Sequence, residues 1–336
     1  MSHLLVIQPG PATTVQDVGR LGWQHLGVSP AGFADPLLAA LGNALVGNPP
    51  DAAVLEWTLH GDTLRVVGGP IRVAVAAWAD VAVDGAPAPQ FRALQLHEGQ
   101  VLTVGALTKG RHGVLAVAGG VQMPSVLGSR ATHVRTGVGG GPLLDGDQLP
   151  VPPDPAPHHP ALQLPVGRIP PLNHVLRVLL APQATLFQPT ALPALRDHPW
   201  LVRAGDRMGT HFSGPPLLLL PNVEPVSEGV VTGALQVPPS AQPIALGPDR
   251  QTMGGYAKLA VVISADLRHL AQLRDGDQVR FQVVDHAAAR AALLDAQAAL
   301  HDLLASLRPA HDVLPFESPR LLRLLGYRPD PNSPNR

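Results

Sequence analysis

Leu143-Leu144-Asp145-Gly146-Asp147-Gln148-Leu149 returns in the second half of the chain as Leu273-Arg274-Asp275-Gly276-Asp277-Gln278-Val279. In each copy Asp-Gly-Asp, a turn-forming sequence, leads into an apolar run that reads as a strand. A fainter echo precedes it: Gly120-Val121-Gln122-Met123-Pro124 against Ala234-Leu235-Gln236-Val237-Pro238. A Gly-Asp turn before a strand is common in itself. Two echoes in the same order point to duplication of one β-domain.

The surrounding sequence is punctuated by breakers. Proline (38) and glycine (34) make up about a fifth of the 336 residues, against an average of about 12%. They interrupt apolar segments without forming a repeat, which excludes collagen and low-complexity sequence. Short apolar runs between breakers predict many strands joined by tight turns. Candidates are Thr63–Gly68, Ile71–Ala77, Val81–Asp84, Leu94–Leu96, Val101–Val104 and Gly113–Val117. In the second half they are Val175–Ala181, Leu217–Leu220, Gly229–Val237, Leu259–Ser264 and Gln278–Val284. Asp84-Gly85 is a hairpin signal. Three helices are predicted. Asp35–Val46 has Asp35 as N-cap and Pro36 at the first helical position, His286–Leu307 is rich in Ala and Leu, and Ser264–Gln272 is shorter.

The length suits about two domains of ~150 residues each. Pro150–Pro165 carries seven prolines and no periodicity, so it reads as an extended spacer. The division is then a β-domain over 1–150, a linker over 151–165, a second β-domain over 166–285, and a helix with a tail over 286–336. The end of that tail, Pro329–Arg336, reads as disordered.

Composition excludes several functions. Charged residues supply 15% and the net charge is −1, so no nucleic-acid footprint or attraction to an anionic membrane is written into the chain. No apolar run approaches the ~20 residues of a membrane span. Met1-Ser2-His3-Leu4 lacks the features of a secretory signal, so a cytoplasmic location is expected. Cysteine is absent, which excludes disulfides, zinc thiolates and Cys nucleophiles. There is no Walker loop, G-x-S-x-G elbow or H-E-x-x-H. Gly137–Gly141 opens onto Pro142 instead of a helix, and His158-His159 lies in the linker and reads as a solvated pair. No metal site is expected.

Two clusters of glycine and small polar residues remain. The first runs through Thr13-Thr14-Val15-Gln16-Asp17-Val18-Gly19-Arg20, Asp35, Asn43, Asn48 and Glu56. Helix caps and satisfied turns account for Gln16, Asp17, Asn43 and Asn48. The second comprises Arg207-Met208-Gly209, Ser227-Glu228-Gly229, Gln236, and Asp249-Arg250-Gln251-Thr252-Met253-Gly254-Gly255-Tyr256-Ala257-Lys258. Here glycine lets backbone approach a ligand and frees N–H donors for an anion. The chain has only two lysines, Lys109 and Lys258, and Lys258 follows this loop. A compact ammonium suits a single oxyanion.

The same residues carry a resemblance. Thr14-Val15-Gln16-Asp17-x-Gly19-Arg20, Asp35, Asn43, Gly47-Asn48 and Glu56 resemble the opening of the biotin-dependent carboxyltransferase / allophanate hydrolase subunit 2 family. Leu127-Gly128-Ser129-Arg130, Arg207-Met208-Gly209, Ser227-Glu228-Gly229, Gln236-Val237-Pro238 and Gly254-Gly255-Tyr256-x-Lys258 continue it in order over residues 4–285. Two departures are Phe33-Ala34-Asp35, where the family has Ala-Met-Asp, and Ala257, where it has Pro.

The resemblance, strongest to stand-alone members of the 5-oxoprolinase (KipA) type, implies a mainly β fold of two cyclophilin-like β-barrel domains. With them it implies a role as subunit of a complex that opens 5-oxo-L-proline to L-glutamate with ATP. ATP and Mg would belong to the complex. The implied partners are a subunit-B-like (KipI-type) β-barrel protein and a subunit-A-like protein, with no nucleic acid and no membrane. Lys258, Glu228 and Asp249 are the candidate catalytic residues. Arg207, Gln236, Gln251, Gly254, Gly255 and Tyr256 are the candidate substrate-binding ones. Two alternatives stand beside this reading. One is carboxyl transfer to urea or a related amide, with biotin on a separate carrier because no Met-Lys-Met attachment sequence is present. The other is a non-catalytic binding partner of a kinase inhibitor.

Overall fold

In the computed structural model, which describes residues 2–310, both copies of the Asp-Gly-Asp echo fold into the same turn. Asp147 Oδ2 accepts from Leu144 N at 2.8 Å, and Asp277 Oδ2 from Arg274 N at 2.7 Å. Gly146 and Gly276 take φ of 84° and 91°, where glycine meets no steric penalty. Gly146 N and Asp147 O bond the Val6 backbone, just as Gly276 N and Asp277 O bond that of Val202. Strands His3–Gln8 and Trp200–Gly205 therefore hold equivalent places. Each also shifts register just past its valine, between Val6 and Gln8 and between Val202 and Ala204. The fainter echo has no such counterpart: Gly120–Pro124 is irregular chain and Ala234–Val237 is a strand.

The fold is mainly β. In the first half a nine-stranded sheet runs Thr14–Gln16, Val54–Thr58, Val101–Val117, Thr63–Val67, His3–Gln8, Gln148–Pro150. Ile71–Val83 branches from it, pairing with Val101–Val117, Ala86–Pro87 and Ala93–Leu96. The second half is a closed seven-stranded barrel in the order Val175–Leu180, Ala257–Val262, Ala234–Val237, Ile244–Leu246, Gly209–Ser213, Trp200–Gly205, Gln278–Val283. Parallel pairing of Val175–Leu180 with Gln278–Val283 closes it. Of the two barrels expected, the second is closed and the first is a branched half-barrel. Each wraps its own core. Trp57, Val75 and Leu115 are fully buried in the first, and in the second Phe281 meets Trp200 and Phe212 edge-to-face at 6.2 and 5.3 Å.

Two strand pairs read as separate are continuous. Ile71–Ala77 and Val81–Asp84 belong to the 13-residue strand Ile71–Val83, and Val101–Val104 and Gly113–Val117 to the 17-residue strand Val101–Val117. Their interrupted pattern lies where the two cross and the register shifts, around the pair Trp78 and Lys109. Asp84 and Gly85, at φ 50° and 78°, make the expected hairpin turn. Gly229–Val237 splits into Glu228–Gly229 and Ala234–Val237, and Leu217–Leu220 is no strand, holding one bridge from Leu219 to Phe187.

Helix Pro36–Leu45 starts as expected, with Asp35 Oδ1 accepting from Leu37 N and Leu38 N at 3.1 and 3.3 Å. It buries Leu38, Leu41 and Leu45 against the sheet, each worth about 1.5–3 kcal/mol relative to exposure. The region expected as helix Ser264–Gln272 is a 3-10 turn, Ser264–Asp266, running into the short helix Leu267–Ala271. Helix His286–Ala305 is capped by Asp285, starts beside the barrel, and packs Leu303 into the cluster around Leu38 and Leu41. No helix among the described residues is long and apolar enough to cross a membrane. The Pro-rich stretch lies against the sheet, where Arg72 donates to Asp154 Oδ1 and Ala156 O at 2.7 Å and to His159 O at 3.0 Å. The expectation for Pro329–Arg336 falls outside the described residues.

The halves meet through buried polar groups. Gln272, 2% exposed, accepts from the backbone N–H of Arg111 and His112 at 2.7 and 2.9 Å, and donates to Asp35 Oδ2 at 2.9 Å. Arg111 in turn donates to Leu273 O, Gly205 O and Asp275. Gln272→Ala removes the acceptor of two buried donors. It should lower unfolding free energy in urea by about 2–4 kcal/mol. A change under about 0.5 kcal/mol would show that the junction does not depend on it.

Candidate active site

The residues singled out in the sequence form two groups. Lys258 and Gln236 are direct cross-strand partners in the barrel, so their side chains share a face. Outside that face a two-stranded ribbon pairs Glu228 with Gly254 and Gly229 with Met253. Gly254 comes close to this face: a Cβ there would lie 2.3 Å from Gln236 Nε2 and would push that amide aside. Gln251 Nε2 donates to Gln236 Oε1 at 3.2 Å. Lys258 is 5% exposed, and its Nζ lies 3.1 Å from Oε1 of the half-exposed Glu228. That approach is an ion pair by distance, but its angle leaves Nζ without an aligned acceptor. Gln236 Nε2, buried beside it, also has none. An unpartnered amide donor thus lies beside the Lys258–Glu228 ion pair. Tyr256 is 48% exposed, and Gly255 lies beside Ser227.

Arg207 and Asp249 belong to the second group, at the junction of the halves. Arg207 Nε and Nη2 donate to the two Asp249 oxygens at 3.0 and 2.8 Å, its Nη2 also to Gly32 O at 2.6 Å, and its Nη1 to Glu56. Asp249 O also meets His133 Nε2 at 3.0 Å. Glu56 sits on strand Val54–Thr58 at 2% exposure and accepts from Ala34 N at 2.8 Å. Burial pushes its carboxyl up to about 7, against the pull of Arg207. Burial, with Arg207 and Arg111 nearby, lowers His112 to about 3, so its 3.9 Å approach to Glu56 is that of a neutral imidazole. For Arg207 itself burial works against the charge, but Glu56 and Asp249 hold its pKa above the usual range.

Sequence reasoning placed Glu56 in the first cluster without seeing its partner, and missed His112, Gln272 and Arg111. The available signal for Glu56 was a lone carboxylate inside the apolar run Val54-Leu55-Glu56-Trp57. The other members of the first cluster are structural. Gln16 bonds Thr14, Thr132 O and Gly32 N; Asp17 accepts from Gly19 N, Ser129 and Arg130 N; Asn43 and Asn48 bond each other. Among the described residues, no three His, Asp or Glu side chains gather as a metal-holding group.

A half-barrel joined to a closed barrel through such a junction is the architecture of a known class. Residues 26–283 match the family described as "Carboxyltransferase domain, subdomain A and B", and the chain belongs to that family. It is 36% identical over 276 residues to the C subunit of 5-oxoprolinase from Haemophilus influenzae, covering 81% of this chain and 88% of that one. To the C subunit of the Escherichia coli 5-oxoprolinase it is 35% identical over 285 residues, covering 83% and 90%. The crystal structure of the Kluyveromyces lactis urea carboxylase superposes with a TM-score of 0.82 at 27% identity, over 92% of this chain and 30% of that one. The chain thus spans most of the length of the two bacterial relatives and under a third of the yeast enzyme.

The Glu56 shift has a measurable sign. A folded-state value near 7 against 4.5 unfolded means that the native state binds the proton more tightly. Its contribution is complete below pH 4.5 and is lost as pH climbs through 7. Between pH 5 and 8 the wild type should therefore lose stability relative to Glu56→Gln, on the order of 2–3 kcal/mol. His112 acts oppositely, contributing above pH 6.5 and losing this as pH falls towards 3, but it is present in both proteins. A pH-independent difference in urea midpoints would contradict the assignment.

Proposed function

We propose that this chain is a subunit of an ATP-dependent 5-oxoprolinase complex, in which 5-oxo-L-proline is opened to L-glutamate. The supporting comparison is its similarity, along nearly their whole length, to two chains named as the C subunit of 5-oxoprolinase. The observation in the chain itself that carries the reading is a buried ammonium, Lys258 Nζ, paired with the half-exposed Glu228 at 3.1 Å and lying beside the unpartnered amide donor Gln236 Nε2. A lactam carbonyl is a poor electrophile, and any route to opening it develops charge on oxygen that a preorganised cation and amide can meet.

In this reading Lys258 anchors an anionic group, Gln236 donates beside it, and Gln251 holds Gln236 in orientation. Glu228, half in solvent, sets the ammonium, and Gly254 and Gly255 let the ligand approach backbone. Tyr256 edges the opening. Arg207 and Asp249 spend their polar atoms on each other and on Glu56, so they act by positioning the Asp249–Lys258 segment. The Lys258 group fits one small anionic moiety and does not by itself make a cradle for ATP with Mg. ATP, which supplies activation of the lactam, is therefore placed on the assembled complex, with a subunit-B-like and a subunit-A-like protein as partners. The likeness to urea carboxylase supports a second reading, carboxyl transfer to urea or a related amide with biotin on a separate carrier.

The isolated chain should show no ATP-dependent lactam hydrolysis, and activity should appear on adding the two partners. Glutamate release from 5-oxoproline reads this out, and turnover by the pure chain alone would contradict it. Activity only with urea, bicarbonate and a biotinylated carrier would favour the second reading. In the assembled complex Lys258→Arg keeps the charge but not the compact ammonium. Losing a charge-assisted hydrogen bond of ~1.5–3 kcal/mol should slow turnover roughly ten- to a hundredfold. Lys109→Arg, whose lysine is exposed 5.3 Å over the Trp78 ring, should be silent. Equal activity of both variants would remove Lys258 from the site.

A further inference from the structure

The strand Ala257–Val262 carries one residue more than its neighbour Ala234–Val237 can match. Leu235 faces Ala260 and Gln236 faces Lys258, so Leu259 is the extra residue of a β-bulge. The bulge decides where Lys258 points. Val262 and Ala260 belong to the barrel core, and strict alternation would send Lys258 in beside them. With the extra residue, Leu259 takes the inward place, Ala257 is inward again, and Lys258 turns outward beneath the Glu228–Gly254 ribbon. The bulge falls where the strand on the other side ends. Val175–Leu180 pairs with this strand as far as Leu180 and Ala260, and Ala181 N then donates to Leu259 O at 3.0 Å. Pro182 next takes the chain away into the 3-10 turn Pro182–Leu186. There a side chain meets the Lys258 N–H, which donates to Oε1 of the half-buried Gln183 at 2.9 Å. The turn is itself held, since Ala184 N donates to Ala181 O at 2.9 Å and Phe187, just past it, is buried in the barrel core.

We propose that Gln183 is a positioning residue for Lys258: its amide oxygen stands in for the strand carbonyl that is missing there, pins the bulge, and so fixes the aim of the ammonium. The inference rests on the reading of Lys258 as the anchor of an anionic group. Gln183 acts through the backbone, since Lys258 Nζ makes no hydrogen bond to it. Without that acceptor the Lys258 N–H is left unmet inside the barrel wall, and the bulge loses the contact that holds it in one form. A shift there is carried along the four-carbon stem to Nζ and to its 3.1 Å approach to Glu228. Reacting geometry tolerates little of this, as a displacement of about 1 Å can cost roughly a hundredfold in rate.

Nuclear magnetic resonance of the full chain labelled with nitrogen-15 at lysine alone tests it, because Lys109 and Lys258 then give the only backbone amide signals. Gln183→Met keeps the length of the side chain and removes the acceptor, whereas Gln183→Glu keeps the acceptor. In Gln183→Met the Lys258 amide should exchange with solvent roughly tenfold faster or more, and the Lys258 ammonium signal should move while both Lys109 signals stay. In the assembled complex the same variant should lower kcat roughly tenfold or more with KM changed by less than about twofold. Gln183→Glu should restore the Lys258 signals and bring turnover to within about threefold of wild type. If Gln183→Met does not fold, Gln183→Asn takes its place, because the shorter side chain withdraws the oxygen from reach. The two readings fail differently: a wild-type complex without turnover would remove the 5-oxoprolinase reading, and the lysine signals would still judge Gln183. Unchanged Lys258 signals in a folded variant, reduced stability with unchanged turnover, or a Gln183→Glu protein as impaired as Gln183→Met would overturn the proposal.

Discussion

The guanidinium of Arg207, held between Glu56 of the half-barrel and Asp249 of the barrel half, is the interaction on which the junction depends. All three groups are largely removed from water. Replacing such a set by apolar side chains often costs nothing, whereas removing one member strands the others. Its value here is specificity of arrangement. Burial leaves Glu56 reluctant to ionise despite the pull of Arg207, with Asp249 adding a smaller push, and the adjacent imidazole of His112 stays neutral. Gln272 and Arg111 extend the junction by satisfying backbone groups across it. The halves are joined mainly by polar groups whose partners must all be present together.

That clasp also governs the second half's polar loop. Three consecutive residues there serve three places. Asp249 closes on Arg207, Arg250 lines a cavity between the halves, and Gln251 reaches Gln236 beside Lys258. A shift of Asp249 would therefore move both the cavity and the Lys258 group. The barrel strand supplies rigidity, since Lys258 and Gln236 are fixed by ladder register, while the Glu228–Gly254 ribbon covers them.

What the sequence made legible was local. The Asp-Gly-Asp turns, the Asp84-Gly85 hairpin and the Asp35 helix cap each depend on chemistry within a few residues. The limits of the two long strands were hidden because bulged positions near Trp78 and Lys109 break the alternation that marks a strand. Leu217–Leu220 has a strand's composition but no neighbouring ladder to join. The Lys258 group was foreshadowed by the Gly-Gly loop and by the rarity of lysine. Its separation from Arg207 was not, since Arg207 is defined by Glu56, 151 residues away in sequence. No local pattern reports a contact of that range. Family resemblance supplied the order of the motifs but not which side chains consume one another.

A double-mutant cycle on Glu56→Gln and Arg207→Gln, read by urea unfolding at pH 8 where Glu56 is ionised, tests the clasp most directly. If the buried pair organises the junction, the two substitutions should be strongly non-additive, with a coupling of about 1–3 kcal/mol. Additivity within about 0.5 kcal/mol would contradict that role and leave Glu56 and Arg207 as independent buried charges.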